Sequence, residues 1–202
     1  MISKNKLRIG VMLNNLSIQN WQYRALNYVL NEEVGEFSLV ILKNEVKKEK
    51  RKKTFNFYLS VFKNKYKYFL FDIFKKIQKN KISATKKVSA KKLLQSVPSI
   101  TCRTNNKGKF SEYFNDEDIK ILKEYNLDII IRFGFGIIKG KVLSVAKYGI
   151  WSYHHGDENK YRGLPPIFWE IYNNDNLVGS ILQRVTNKLD AGFILQKGIY
   201  KN

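Results

Sequence analysis

Short apolar runs alternate along the chain with segments whose apolar positions recur every three or four residues. The run over residues 7–12 predicts a buried strand, and the run over residues 37–42 predicts a second one. The apolar positions of residues 21–29 have helical spacing, and Ser17 stands where a helix cap is expected. A strand, a helix and a strand in this order indicate a parallel α/β sheet with a right-handed crossover.

The same alternation returns in the second half of the chain. Further strands are predicted at residues 97–101, 128–131 and 148–153, and a helix at residues 116–125. Asn115 is the expected cap of this helix, whose first turn is rich in acidic side chains. The pattern predicts an α/β fold with a Rossmann-like, doubly wound and mostly parallel sheet. The length of 202 residues suits one catalytic domain, 1–202, with an insertion at 43–95.

That insertion, which follows the second predicted strand, carries much of the basic charge. The chain has 37 Lys and Arg against 17 Asp and Glu, a formal charge of +20, and most of the excess lies between Lys43 and Lys92. Apolar residues from Phe55 to Ile77 recur at helical spacing, which predicts a basic amphipathic helix. Three interpretations of this helix remain open: it packs on the sheet, it lies on an anionic membrane surface, or it binds nucleic acid. The run 47–53 is typical of a solvated loop that attracts polyanions at low salt.

Composition excludes several classes of protein. Hydrophobic residues make up 44% of the chain and aromatic residues 14%, which excludes global disorder. A single cysteine, Cys102, excludes an internal disulfide, and with only His154 and His155 besides, no zinc cluster and no metal are expected. No signal peptide and no apolar stretch of membrane-spanning length stand in the sequence, so we expect a soluble cytoplasmic protein.

The segment 133–196 carries the most information about chemistry. It contains GIWSYHHGDENKYRGLPPIFWEI at residues 149–171 and VGSILQRVTNKLDAGFILQKG at residues 178–198. These strings resemble the catalytic half of the folate-dependent formyltransferase superfamily, which includes glycinamide ribonucleotide, methionyl-tRNA and nucleotide-sugar N-formyltransferases. The family pattern is Asn-x-His, a loop, a basic residue followed by Gly, a helix, a strand and Leu-Asp-x-Gly.

The resemblance can be followed residue by residue. Ser152, Tyr153 and His154 stand at the Asn-x-His positions, and Arg162 and Gly163 stand at the basic-Gly pair. The helix corresponds to residues 166–172, the strand to residues 179–185, and the final motif to residues 189–192. His155 has no counterpart with a role and is expected to be a polar loop residue.

The resemblance implies transfer of a formyl group from 10-formyltetrahydrofolate to a primary amine. Such a reaction requires stabilisation of an oxyanion and movement of a proton between two nitrogens. His154 is the expected proton shuttle, and Asp190 is the carboxylate expected to hold the imidazolium or a water.

The resemblance also implies where the two substrates bind. The donor is expected against the backbone of Phe135, Gly136 and Ile137, where small residues let a flat ring approach the chain. The donor is also expected against the loop from Thr186 to Asp190, which contains Asn187 and Leu189. Arg162 and Gly163 are expected at the acceptor, where Arg162 either binds a phosphate or orders the loop.

Ser152 is the first departure from the family pattern, because the family asparagine donates its side-chain amide to the oxyanion. A serine hydroxyl donates one hydrogen bond and is shorter than a carboxamide. Loss of one oxyanion donor costs roughly a hundred- to a thousandfold in rate. A different acceptor chemistry, a slow enzyme and an inactive protein therefore remain open.

Two further departures concern the acceptor and the covering of the sheet. Few residues follow Asp190, so the usual C-terminal helix and accessory domain are expected to be missing. The sheet surface would then be uncovered unless the predicted helix 55–77 or a partner covers it, which gives two hypotheses, a homo-oligomer or a truncated chain. Residues 13–16 replace the Gly-rich phosphate loop of glycinamide ribonucleotide enzymes, which favours a small-molecule amine such as a nucleotide-linked amino sugar. The alternative is a catalytically impaired relative that binds polyanions or RNA through residues 47–53.

Overall fold

The computed structural model describes residues 6–44, 73, 82–107, 111–161, 167–188 and 191–201. Its strands are β1 Leu7–Leu13, β2 Ser17–Gln19, β3 Gly35–Lys43, β4 Lys87–Ser89, β5 Ser99–Cys102, β6 Thr104–Lys107, β7 Ser111–Phe114, β8 Ile129–Arg132, β9 Ile137–Lys139, β10 Ile150–His155, β11 Leu177–Arg184 and β12 Phe193–Lys201. Its α-helices are α1 Asn20–Asn31, α2 Lys91–Leu94, α3 Asp116–Glu124 and α4 Phe168–Tyr172, and 3₁₀ turns cover Ser83–Thr85 and Gly140–Ser144. The strands and helices predicted within these residues are confirmed, with bounds that shift by a few residues.

A seven-stranded sheet forms the centre of the described structure, in the order β12-β11-β10-β8-β1-β3-β5. The strands from β10 to β5 are parallel to their neighbours, whereas β11 and β12 pair antiparallel at the other edge. The chain runs outward from β1 through β3 to β5 and then returns to β8 on the opposite side of β1. This reversal is the topological switch point of a doubly wound sheet, and it creates a crevice at the carboxyl ends of β1 and β8.

Two hydrophobic clusters cover the two faces of the sheet. Val11 and Leu13 of β1 point into one cluster together with Leu26 of α1. Met12, between them, points into the other cluster together with Leu122 of α3. Because β1 is buried on both faces, its sequence is a continuous apolar run rather than an alternating one.

The start of α1 differs from the prediction. Ser17 lies in β2, which pairs with β4, so its backbone is extended and it does not cap the helix. Gln19 is the N-cap residue instead, and its backbone N–H donates to Gln22 Oε1 at 2.8 Å in a capping box. The prediction of Ser17 as the cap is wrong because strand pairing with residues distant in sequence takes precedence over local capping.

The start of α3 agrees with the prediction more closely. Asn115 occupies the N-cap position, and Asp116, Glu117 and Asp118 place acidic side chains in the first turn. Their negative charges interact favourably with the positive end of the helix dipole and stabilise the helix. The Asn115 side chain, however, makes no capping bond; its Oδ1 accepts a hydrogen bond from Asn105 Nδ2 at 2.8 Å.

The predicted insertion at 43–95 falls partly within the described structure. The amphipathic helix predicted from Phe55 to Ile77 and the run 47–53 lie outside the described residues, apart from Ile73. In residues 82–95, β4 pairs with β2, and Ala90 and Leu94 are buried in the core. That part is packed into the α/β domain, so an independent basic insertion with this boundary is not confirmed. Among the described helices, none is long and apolar enough to cross a membrane.

Candidate active site

A cleft of about 140 Å³ opens at the switch point of the sheet, beside the ends of β1, β8 and β10. It is lined by Trp21, Gln22, Arg132, Phe133, Gly134, Phe135, Ser152, Tyr153 and His155. Ligands of open α/β sheets bind at such crevices because the strand ends and their loops converge there. Aromatic rings and a partly buried cation in one cleft suit a flat ligand with polar edges.

The turn after β8 is fixed to the end of β1. The backbone N–H groups of Phe133 and Gly134 both donate to Met12 O, at 2.9 and 3.0 Å. The Phe135 N–H donates to Asn14 Oδ1 at 2.6 Å, and the Phe135 backbone is left-handed, with a φ of 63°. A Cβ at Gly134 would lie 2.3 Å from the Asn14 nitrogen, so only glycine fits there. The wall of the cleft is thus held by backbone hydrogen bonds.

A partly buried arginine stands at the centre of this site. Arg132 is opposite Ser152 in the β8–β10 ladder, and its Nε and Nη2 both donate to Ser152 Oγ, at 3.3 and 3.0 Å. Its Nη1 donates to Gly136 O. Burial lowers the pKa of Arg132, whereas the Glu112 carboxylate raises it. The guanidinium stays charged, because arginine is not deprotonated in proteins.

Arg132 was not predicted as a site residue from the sequence. The available signal was a lone arginine at the end of an apolar strand, directly after Ile131. A buried strand accommodates a charge only where partners or a ligand meet it. Such a residue is therefore a candidate for function, although its partners cannot be read from the sequence alone.

Glu112 of β7 forms the second charged part of the site. It accepts hydrogen bonds from Lys43 Nζ, from Thr104 Oγ1 at 3.1 Å and from the Gly136 amide. Burial alone would raise the pKa of Glu112, but these hydrogen bonds and the Lys43 charge outweigh burial and lower it. A Cβ at Gly136 would lie 2.6 Å from Glu112 Oε1. Glycine at position 136 therefore makes room for this carboxylate, whereas the sequence had suggested room for a ligand.

Aromatic rings form the opposite wall of the cleft. Trp21 of α1 contacts Phe133 edge-on, with ring centroids 5.4 Å apart, and lies 5.3 Å from Tyr153. Tyr153 in turn contacts His155 edge-on at 4.8 Å. The Trp21 indole N–H donates to Gln19 Oε1, which fixes the orientation of the ring.

The two histidines of β10 differ in position. Ser152 and His154 belong to one face of the strand and Tyr153 and His155 to the other, because side chains alternate along a strand. His155 lines the cleft, and His154 is not among the described residues that line it. Partial burial lowers the pKa of His155, and the nearby His154 lowers it further. The expectation that His155 is a loop residue is wrong, since it is the last residue of β10.

Several predicted site residues lie outside the described residues, namely Asp190, Leu189, Arg162 and Gly163. The pairing of His154 with Asp190 therefore stays a prediction. The same holds for the acceptor roles of Arg162 and Gly163.

The two segments that the resemblance assigns to the donor do meet. The Gly140 N–H, directly after β9, donates to Asn187 Oδ1 at 2.8 Å. Ile137 begins β9 and is partly buried, and Phe135 stacks on Phe114 with ring centroids 5.1 Å apart. The loop after β11 is shaped by Thr186, whose hydroxyl donates to the carbonyl of Ala191 at 2.9 Å. These contacts bring Asn187 beside the strand that follows Phe135 and Gly136.

No family model matches the chain. Among curated proteins, it is similar to the methionyl-tRNA formyltransferase of Prochlorococcus marinus (strain MIT 9515), with 34% identity over 82 residues, 40% of this chain and 25% of that protein. The methionyl-tRNA formyltransferase of Rickettsia prowazekii is 34% identical over 84 residues, 41% of this chain and 28% of that protein. The matched segment thus spans about a quarter of the length of these relatives.

Solved structures of other proteins share the fold of this chain. Glycinamide ribonucleotide transformylase 1 from Symbiobacterium toebii superimposes with a TM-score of 0.58 at 15% identity, over 97% of this chain and 74% of that one. A formyltetrahydrofolate deformylase from Pseudomonas syringae pv. tomato gives 0.58 at 14% identity, over 99% of this chain and 53% of that one. The sequence matches confirm the resemblance to the formyltransferase superfamily, and the structural matches confirm the Rossmann-like fold.

Proposed function

We propose that this chain transfers a formyl group from 10-formyltetrahydrofolate to a primary amine. The observation that best supports the proposal is the cleft at the switch point, where the partly buried Arg132 and the buried Ser152 lie beside the end of the histidine-bearing strand β10. The sequence match to methionyl-tRNA formyltransferases supports the same class of reaction. We further propose that residues 1–202 form one catalytic domain.

The proposed reaction balances without a further reactant. The acceptor nitrogen attacks the formyl carbon, and the carbonyl oxygen takes up the electron pair and becomes an oxyanion. When the carbonyl re-forms, the bond from the formyl carbon to the donor nitrogen breaks. One proton moves from the acceptor nitrogen to the donor nitrogen, and an imidazole can carry it.

The roles of individual residues follow the resemblance. His154 carries the proton and Asp190 holds its imidazolium, while Ser152 belongs to the oxyanion side of the site. The donor binds against Phe135, Gly136, Ile137, Asn187 and Leu189, and the acceptor binds at Arg162 and Gly163. The contact between Gly140 and Asn187 supports the donor position, because it joins the two segments proposed to hold the ring.

The proposed acceptor is a small-molecule amine, with a nucleotide-linked amino sugar as the first candidate. The aromatic wall of Trp21 and Tyr153 supports it, because such rings pack on the apolar face of a sugar while the polar edge meets hydrogen-bonding groups. The names of the curated relatives favour methionyl-tRNA as the second candidate acceptor.

The test is a turnover assay with both classes of acceptor. We expect the chain to release tetrahydrofolate from 10-formyltetrahydrofolate when a suitable amine is present, and mass spectrometry should find the acceptor heavier by one formyl group. Nucleotide-linked amino sugars, methionyl-tRNA and glycinamide ribonucleotide should be compared at equal concentration. Binding of the stable 5-formyltetrahydrofolate, measured by calorimetry, provides a readout that does not depend on the acceptor. Absence of binding to every reduced folate would remove the basis of the proposal.

A second candidate function is binding of a polyanion such as RNA, which the charge of +20 favours. We expect binding to a single-stranded RNA that weakens steeply with salt, because released counterions drive such association. Replacing Lys47, Lys48, Lys52 and Lys53 with glutamate should abolish it, whereas the same number of changes at Lys120, Lys123, Lys139 and Lys141 should weaken it less. Equal RNA affinity of wild type and the first variant, measured by filter binding, would contradict this function.

A further inference from the structure

Ser152 cannot act as a simple short replacement for an asparagine, because its hydroxyl is already engaged. A serine hydroxyl has one proton to donate and two lone pairs to accept with. Its oxygen accepts from Arg132 Nε and Nη2, at 3.3 and 3.0 Å. The acceptor for its own proton in the described structure is the Tyr153 carbonyl, a long contact of 3.4 Å between the oxygens. Ser152 is 3% exposed, so its oxygen is engaged by Arg132 and withdrawn from solvent.

Arg132, in contrast, retains donors. A guanidinium carries five N–H groups. Three are used by the hydrogen bonds to Ser152 and to Gly136 O, which leaves one N–H on each terminal nitrogen without a partner in the described structure. Arg132 also lines the cleft, so a ligand there can meet these groups.

The charge of Arg132 is compensated only at a distance. Its direct acceptors in the described structure, Ser152 Oγ and Gly136 O, are neutral. The carboxylate whose charge raises the pKa of Arg132, Glu112, is already engaged by Lys43 and Thr104. A partly buried cation without a directly bonded anion has lost part of its hydration, and a negative charge that develops in the adjoining cleft would offset that loss.

The arginine is also held in one position. Ser152 fixes it from β10, and the Gly136 carbonyl fixes it from the turn after β8. Donors that are oriented before the reaction stabilise a developing charge more effectively than groups that must reorganise.

We propose that the Arg132 guanidinium is a catalytic residue that donates to the developing oxyanion, in place of the carboxamide that the family pattern has at position 152. Ser152 is then a positioning residue, since it orients Arg132 and does not itself contact the oxyanion. This inference rests on the proposed formyl transfer. If Arg132 donates to the oxyanion, a serine at position 152 no longer implies that the site lacks an oxyanion donor.

The test measures formyl transfer by the wild type, Arg132→Gln, Arg132→Ala and the double variant Arg132→Val with Ser152→Asn. We expect Arg132→Gln to lower kcat roughly a hundred- to a thousandfold, as for loss of one oxyanion donor, while KM for both substrates stays within about threefold. Millimolar guanidinium should restore part of the kcat of Arg132→Ala, and urea at the same concentration should not. The double variant places a carboxamide at position 152, as in the family pattern, and should be faster than Arg132→Gln.

The other outcomes contradict this inference, the positioning role of Ser152 or the proposed function. An active wild type whose kcat is unchanged in Arg132→Gln overturns this inference alone. A rise of KM for a charged acceptor with unchanged kcat would mean that Arg132 binds an anionic group of the substrate instead. Ser152→Asn alone should be slower than the double variant, because its longer side chain meets the guanidinium; equal rates would contradict the positioning role. A wild type without turnover and without reduced-folate binding overturns the proposed function and this inference together. Circular dichroism and thermal unfolding confirm that each variant is folded.

Discussion

Glu112→Gln should destabilise the protein by about 3 to 5 kcal/mol at neutral pH, the range measured when one partner of a buried ion pair is removed. The Lys43 side chain is 24% exposed and the Glu112 side chain 11%, so solvent screens their attraction only weakly. The change also removes the carboxylate charge that raises the pKa of Arg132. Lys43 and Arg132 then remain as two cations around a neutral amide.

Glu33→Gln provides the matched control for this change. Its carboxylate lies 3.9 Å from Lys6 Nζ, and the side chains are 79% and 50% exposed. Such a pair contributes about 0 to 1 kcal/mol. Chemical unfolding of both variants at neutral pH should therefore separate them by at least about 2 kcal/mol. Equal free energies of unfolding would show that the Glu112 network contributes no more than a surface pair.

The lowered pKa of Glu112 also fixes the sign of a pH dependence. A carboxyl whose pKa is lower in the folded than in the unfolded protein contributes stability above its unfolded pKa and loses it as pH falls through the folded value. Acidification should thus reduce the difference in stability between wild type and Glu112→Gln. A difference that stays constant below pH 4 would contradict this assignment.

The sequence was sufficient for the parts of the fold that depend on local periodicity. The run that became β1 is continuously apolar because both of its faces are buried, and that pattern is visible without a structure. The motif around Ser152 and His154 likewise located the strand that carries the site. The prediction that Ser17 caps α1 was wrong because Ser17 pairs with β4, about 70 residues away, and local periodicity carries no information about such pairing.

The charged network of the site could not be predicted for a similar reason. Glu112 approaches Arg132 only because β7 and β9 pair and bring Gly136 beside the carboxylate. Lys43 reaches the same carboxylate from the end of β3. Three separate segments thus supply one network, and no spacing in the sequence relates them. The serine at the family asparagine position therefore suggested a weakened site, whereas the structure pairs that serine with a partly buried guanidinium.

His154→Ala should lower kcat for formyl transfer roughly a hundred- to ten thousandfold, the range of a general acid–base catalyst. The physical reason is its place on the strand. His154 follows Ser152 by two residues and shares its face of β10, so the two Cα atoms lie roughly 6.6 to 6.8 Å apart along the strand. An imidazole on that face can serve a reacting carbon whose oxyanion is held by Arg132.

His155→Ala is the matched variant on the same strand. The His155 ring packs edge-on against Tyr153 on the other face, so its loss should mainly raise KM by changing the aromatic wall of the cleft. Its lowered pKa keeps it neutral at pH 7, which favours a packing role over a charged one. Steady-state kinetics separates the two variants, and added imidazole should partly restore kcat of His154→Ala but leave His155→Ala unchanged. If His155→Ala shows the larger loss of kcat and the rescue by imidazole, the proton passes through the cleft-lining histidine, and the role proposed for His154 is wrong.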